Sequence, residues 1–74
     1  MNLYLISQSE NNDYDTYDSA VVCAENKEQA RLTHPNNNNW LGSWCDPKYV
    51  KVELLGIAND SVSPGVVLAS YNAG

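Results

Sequence analysis

The sequence predicts a small α+β fold: a four-stranded antiparallel sheet in the order β-β-α-β-β, with one short helix on one face and a tryptophan-containing loop. Three observations carry that reading. Four short runs of aliphatic, β-branched and aromatic residues are separated by clusters of polar turn residues. One segment between the second and third runs carries the start and stop signals of a helix. The chain has 74 residues, enough for one domain over residues 1–74 with a single thin core, because a chain of this size buries only about 60% of its unfolded surface. A hydrophobic fraction of 43%, with two tryptophans and five tyrosines, is too high for disorder.

The elements follow in order. Asn2 to Gln8, NLYLISQ, is apolar on both faces near its start and suits a central strand. Ser9 to Asp15 is polar throughout and reads as a long hairpin connection. The second strand is SAVVCA, Ser19 to Ala24, with a possible start at Thr16 or Tyr17; its unbroken apolar character again suits burial on both faces. Asn26 is a good N-cap with Gln29 three positions on, so a helix should run from about Lys27 to Thr33, with Ala30 and Leu32 near one face and Pro35 ending it. Asn36 to Asn39 reads as an exposed loop, and Trp40, Leu41 and Trp44 after it as a lid over the sheet, broken by Gly42. Tyr49 to Ile57, YVKVELLGI, is the third strand, with Val50, Val52 and Leu54 inward and Lys51 and Glu53 toward water. Ala58 to Gly65 is a turn region and Val66 to Tyr71 the last strand. On this reading the first two strands pair as one hairpin and the last two as another.

Charge narrows the function classes. Nine Asp and Glu against four Lys and Arg give a formal net charge of −5. Phosphate recognition requires clustered Lys and Arg, so direct binding to nucleic acid or an anionic membrane is not expected. A basic protein surface is the natural electrostatic partner. MNLYLISQ lacks the basic start and apolar run of a signal peptide, and no stretch is long and apolar enough to span a bilayer. The chain therefore reads as cytoplasmic, with Cys23 and Cys45 as free thiols.

Catalytic and metal motifs are weak. The one histidine, His34, stands at the expected helix end, where it can satisfy terminal carbonyls. A Cys-His pair with Cys23 or Cys45 has no nearby cation to lower the thiol pKa. Cys23, His34, Cys45 and Asp46 contain zinc-ligand chemistry without the close pair of ligands typical of structural sites. Asp13, Asp15 and Asp18 have part of a calcium-loop spacing, but Asp18 and Ala24 stand where its glycine and bidentate glutamate belong. No metal, no cofactor and no enzymatic activity are expected.

The best candidate site is ENNDYDTYDS, residues 10–19. Glu10, Asp13, Asp15 and Asp18 interleave with Tyr14 and Tyr17, and tyrosine gives contact area at low entropic cost. These six residues are expected to bind a partner, the carboxylates standing in for phosphates before a basic groove. The plainer reading is a solvated loop whose aspartates shape turns, with Tyr17 buried at the strand start. Trp40 and Trp44 are a second candidate, for stacking a flat ligand, although burial is the favoured role for both rings.

LYLISQ, YDTYDSAVV, the helix ending in HP, the tryptophan loop, VKVELLGIA and the closing ASYNAG resemble a family of very small uncharacterised bacteriophage and prophage proteins over nearly the whole chain. The resemblance implies only a setting, that of an accessory protein in an infected bacterial cell, and no residue roles are carried over from it. In size, charge and lack of catalytic motifs the chain is also similar to anti-CRISPR proteins. The function expected is a non-catalytic inhibitor, monomeric or weakly dimeric, of a host protein or ribonucleoprotein complex with a basic surface. The alternatives are a small-molecule or nucleotide sponge using the tryptophan loop, and a minor virion structural protein.

Overall fold

A computed structural model describes residues 1–12, 14–36 and 43–72. Strands β1 (Asn2–Ser7) and β2 (Thr16–Ala24) form an antiparallel hairpin at the centre of a four-stranded sheet. Strand β3 (Lys51–Ile57) flanks β1 and strand β4 (Gly65–Asn72) flanks β2, giving the order β3-β1-β2-β4 with every neighbouring pair antiparallel. The central places of β1 and β2 follow from their sequences, since only inner strands have both faces and both edges to cover.

The last two strands depart from the expected second hairpin: they lie on opposite edges of the sheet. A β3-β4 hairpin added to one side would leave β1 or β2 as an apolar edge strand. Placing one strand on each side pairs both edges of the central hairpin. The connection 58–64 therefore crosses the end of the sheet where β1 starts and β2 finishes. The Ala58 N–H donates to the Met1 carbonyl at 3.0 Å, and the Val62 carbonyl lies 3.9 Å from the Cys23 thiol. Gly65 then enters β4 with φ +116°, a conformation that L side chains rarely adopt.

Strands β2 and β3 run in the same direction with β1 between them, which requires a long crossover. Helix α1 (Lys27–Leu32) and the segment leading to Val50 supply it. The Asn26 side chain accepts from the Gln29 N–H at 2.9 Å, as the sequence predicts. The helix stops one residue earlier than expected, with the Thr33 N–H on the Ala30 carbonyl at 3.1 Å and its hydroxyl on the Gln29 carbonyl at 2.8 Å. Ala30 is fully buried but Leu32 is 68% exposed. Positions two apart do not share a helix face, so the expected pairing of Ala30 with Leu32 fails. Arg31 ties the helix to the crossover through its Nη1, which donates to the Val50 carbonyl at 2.9 Å.

The core lies on the helix side of the sheet. Tyr4 and Ile6 come from β1, and Ala20, Val22 and Ala24 from β2, all at the two-residue spacing of a strand. Ala30, Trp44, Cys45 and Val50 close over them. The third strand starts later than its apolar pattern suggests, because Pro47–Tyr49 forms a 3₁₀ turn closed by the Val50 N–H on the Pro47 carbonyl at 3.1 Å. Val50 is buried and Val52 half-buried, as expected, but Leu54 is 54% exposed. A six-residue helix is only about 9 Å long and cannot roof the whole sheet.

Two substitutions rank these contributions. Ile6→Ala opens a cavity at a site of 0% exposure and should cost about 2–4 kcal/mol. Asn26→Ala removes a cap and should cost about 1 kcal/mol. Urea unfolding monitored by tryptophan fluorescence measures both; a larger loss in the cap variant would contradict this description of the core.

Candidate functional site at the hairpin end

The alternation that buries Tyr4 and Ile6 continues to Gln8, so a polar side chain occupies an inward position and is only 6% exposed. Its amide is fully used. Nε2 donates to the carbonyls of Asn11 and Tyr17, each at 2.8 Å, and Oε1 accepts from the Asn11 N–H at 2.8 Å. The Gln8 backbone N–H also donates to the Asp18 carbonyl at 3.1 Å. One side chain thus fixes both arms of the connection between β1 and β2. Asn11 extends the network: its Nδ2 donates to the Trp44 carbonyl at 3.0 Å. The acidic connection is thereby fastened to the segment that roofs the core.

Asp15 has φ 62°, in the left-handed region that aspartate tolerates better than most residues. Two hydrogen bonds and the strand that follows hold it there. Its N–H donates to the Asn72 carbonyl at 2.6 Å, its Oδ1 accepts from the Tyr71 hydroxyl at 3.1 Å, and Thr16 beside it starts β2. The rings of Tyr17 and Tyr71 meet at 4.8 Å between centroids and are tilted by 58°. Tyr17 is half-buried against the core, whereas Tyr14 is 75% exposed. Asp18 is exposed where the pairing of β2 with β4 shifts between Tyr17 and Ser19; the Ser19 hydroxyl lies 3.3 Å from its Oδ1.

The predicted residues separate into groups. Tyr14, Asp15 and Asp18 are exposed near the start of β2, with Tyr17 behind them as support. Glu10 is exposed and close enough to Cys45 to act on its thiol. Burial, with the charges of Glu10 and then Asp46, pushes the Cys45 pKa up, so the thiol stays protonated at neutral pH. Asp13 and Trp40 lie outside the described residues, as does most of the expected asparagine loop. Trp44 is 3% exposed and belongs to the core, so its ring is engaged in packing.

Cys23 and Cys45 are free and buried, and no group of metal-ligating residues occurs among the described residues. His34 is buried and its Nδ1 accepts from the Asn36 N–H at 2.9 Å. It lines, with Trp44 and Cys45, a cavity of about 90 Å³. That is room for about three waters and not for a nucleotide. No helix among the described residues is long and apolar enough to cross a membrane.

The alternation that reaches Gln8 was a readable signal of its role. The bonds of the Asn11 side chain to Trp44 and of Tyr71 to Asp15 carried none, because the partners are distant in the chain. No protein-family model, no curated protein and no solved structure matches the chain.

Two measurements probe this end of the molecule. Gln8→Ala removes three hydrogen bonds and should cost about 2–3 kcal/mol; hydrogen exchange at the Asn11 amide should accelerate more than at Val22. Tyr71 has its pKa raised by partial desolvation, then by the hydrogen bond to Asp15 and its charge, then by Tyr17. The fold favours the protonated hydroxyl, so this contribution is complete below the ordinary tyrosine range and is lost as pH rises through the folded value. In a tyrosinate absorbance titration, the transition removed by Tyr71→Phe should lie above that of a free tyrosine. Asp15→Asn should move it down.

Proposed function

We propose that this chain is a non-catalytic, phage-encoded inhibitor. It docks the acidic, tyrosine-bearing hairpin end onto a basic surface of a host nucleic-acid-handling or defence complex, in the manner of an anti-CRISPR protein. The observation that carries the reading is the fixing of Asp15 by Tyr71 and by the end of β4. A carboxylate held in place before binding loses little conformational freedom on docking. Asp18 and the exposed ring of Tyr14 stand near it in the chain, so charge and apolar area are offered together. The mechanism is occlusion: carboxylates fill the groove that otherwise receives phosphates. Glu10, Asp13 and Tyr17 complete the proposed face, Tyr17 by supporting Tyr71.

Carboxylate mimicry has a measurable salt signature, because exposed charges are screened over about 8–10 Å at physiological ionic strength. Tagged protein should retain a nucleic-acid-binding complex from bacterial lysate at low salt and release it at high salt. Added nucleic acid should compete for the same complex. The Asp13/Asp15/Asp18→Asn variant should fold normally and retain nothing. Equal retention by that variant would refute the acidic face as the docking surface.

A further inference from the structure

The core covers one face of the sheet, and the other face carries two rows of different chemistry. Side chains alternate along a strand. Leu5 and Ser7 of β1, with Ser19 and Val21 of β2, therefore point away from the core that holds Ile6, Ala20 and Val22. Strand pairing sets Leu5, Val21 and Leu68 side by side across three strands. The neighbouring row is Ser7, Ser19 and Ser70. Large side chains beside small ones leave an open groove of about 290 Å³, with Leu5, Val21 and Leu68 toward one side and Ser19 and Ser70 toward the other. Leu68 is 69% exposed there. The exposed Asp18 carboxylate stands at the polar rim, its Oδ1 3.3 Å from the Ser19 hydroxyl. Lys51 and Glu53 share this face and pair with Ser7 and Leu5. They lie two strands, roughly 10 Å, from Ser19 and Val21, and their opposite charges offset each other.

We infer that this groove takes the side chain of an arginine presented by a basic partner, its guanidinium on Asp18 and its aliphatic stem over Val21 and Leu68. Three properties of the groove select that occupant. Its volume falls below the roughly 300–1,000 Å³ of small-molecule pockets, so it suits one side chain. Its wall is apolar and its rim polar. Long cationic side chains lay their methylenes along such a wall while the charged head stays in water. The rim offers a carboxylate and two serine hydroxyls as acceptors. A planar guanidinium with five donors fits that set better than a compact, strongly hydrated ammonium. The net charge of −5 draws cations to the exposed carboxylate. The groove gives the basic partner of the proposed function a specific contact beside the hairpin end, and its part in docking rests on that reading.

The probe is N-acetyl-arginine amide, titrated into the isotope-labelled chain while its backbone amide chemical shifts are followed. Shifts should concentrate at Ser19, Leu68 and Ser70 and saturate in the millimolar range, as expected of so small a ligand. The citrulline analogue keeps the shape and loses the charge, and should bind several-fold more weakly. The lysine analogue should fall between them. Leu68→Gln removes the apolar wall without touching a carboxylate, and Asp18→Asn removes the charge without touching the wall. Each should weaken arginine binding several-fold with unchanged circular dichroism. Binding that responds to Asp18→Asn and ignores Leu68→Gln is attraction to charge alone and overturns the groove. Equal binding of the citrulline analogue, or the absence of localised shifts, does the same. The lysate experiment separates the groove from the acidic face. Retention that is lost in the Asp13/Asp15/Asp18→Asn variant and intact in Leu68→Gln refutes the groove and keeps the face. Localised arginine binding that both single variants weaken, beside full retention by the triple variant, refutes the face and keeps the groove.

Discussion

The buried amide of Gln8 is the constraint on which the hairpin end depends. A polar side chain at an inward strand position is costly unless every hydrogen-bonding group finds a partner. Gln8 finds its partners in the two arms of the connection that follows it, at Asn11 and Tyr17. Its burial and the shape of the connection therefore enforce one another. Without that amide, an acidic run rich in Asn, Asp and Ser has little reason to hold one conformation. With it, the chain is delivered to Asp15 in position to meet Tyr71, and Asn11 reaches the carbonyl of Trp44. Local order in a stretch of low hydrophobicity is thus derived from the core.

The carboxylates of that stretch have different neighbours within the fold. Glu10 influences the buried Cys45 thiol together with Asp46, while Asp15 is bound to the last strand through Tyr71 and Asn72. Tyr71 connects the two themes of this protein. Its hydroxyl holds a carboxylate proposed to meet a basic surface, and its ring packs against that of Tyr17.

Much of the fold was legible because period and punctuation agree. NLYLISQ and SAVVCA alternate or run apolar as inner strands do, and Asn26 with Gln29 marks the helix start. The order of the strands was not legible. VKVELLGI and VVLASY read equally well as partners of each other, and only the need to cover both sides of β1 and β2 separates them. Leu54 and Leu32 look like core residues in sequence, yet a helix of six residues is too short to roof Leu54, and Leu32 lies two positions from the buried Ala30 and so on another helix face. At the candidate site the composition was plain and the geometry was hidden. Nothing near Asp15 in sequence indicates that Tyr71, on the far outer strand, supplies its hydrogen bond.

The crossing of residues 58–64 beneath the central hairpin also bears on how the chain reaches its native state. The hairpin of β1 and β2 closes a short loop, so it can form early at small entropic cost. The pairing of Thr16 with Asn72 closes a loop of most of the chain and so costs more entropy. Loop closure therefore favours β4 joining the hairpin after the hairpin has formed, with Gly65 at the entry to the strand. Until it does, the outer edge of β2 is open and the left-handed backbone of Asp15 lacks its anchor. The surface proposed to recognise a partner thus depends on β4 being in place, which makes it a local readout of whether the whole sheet has closed.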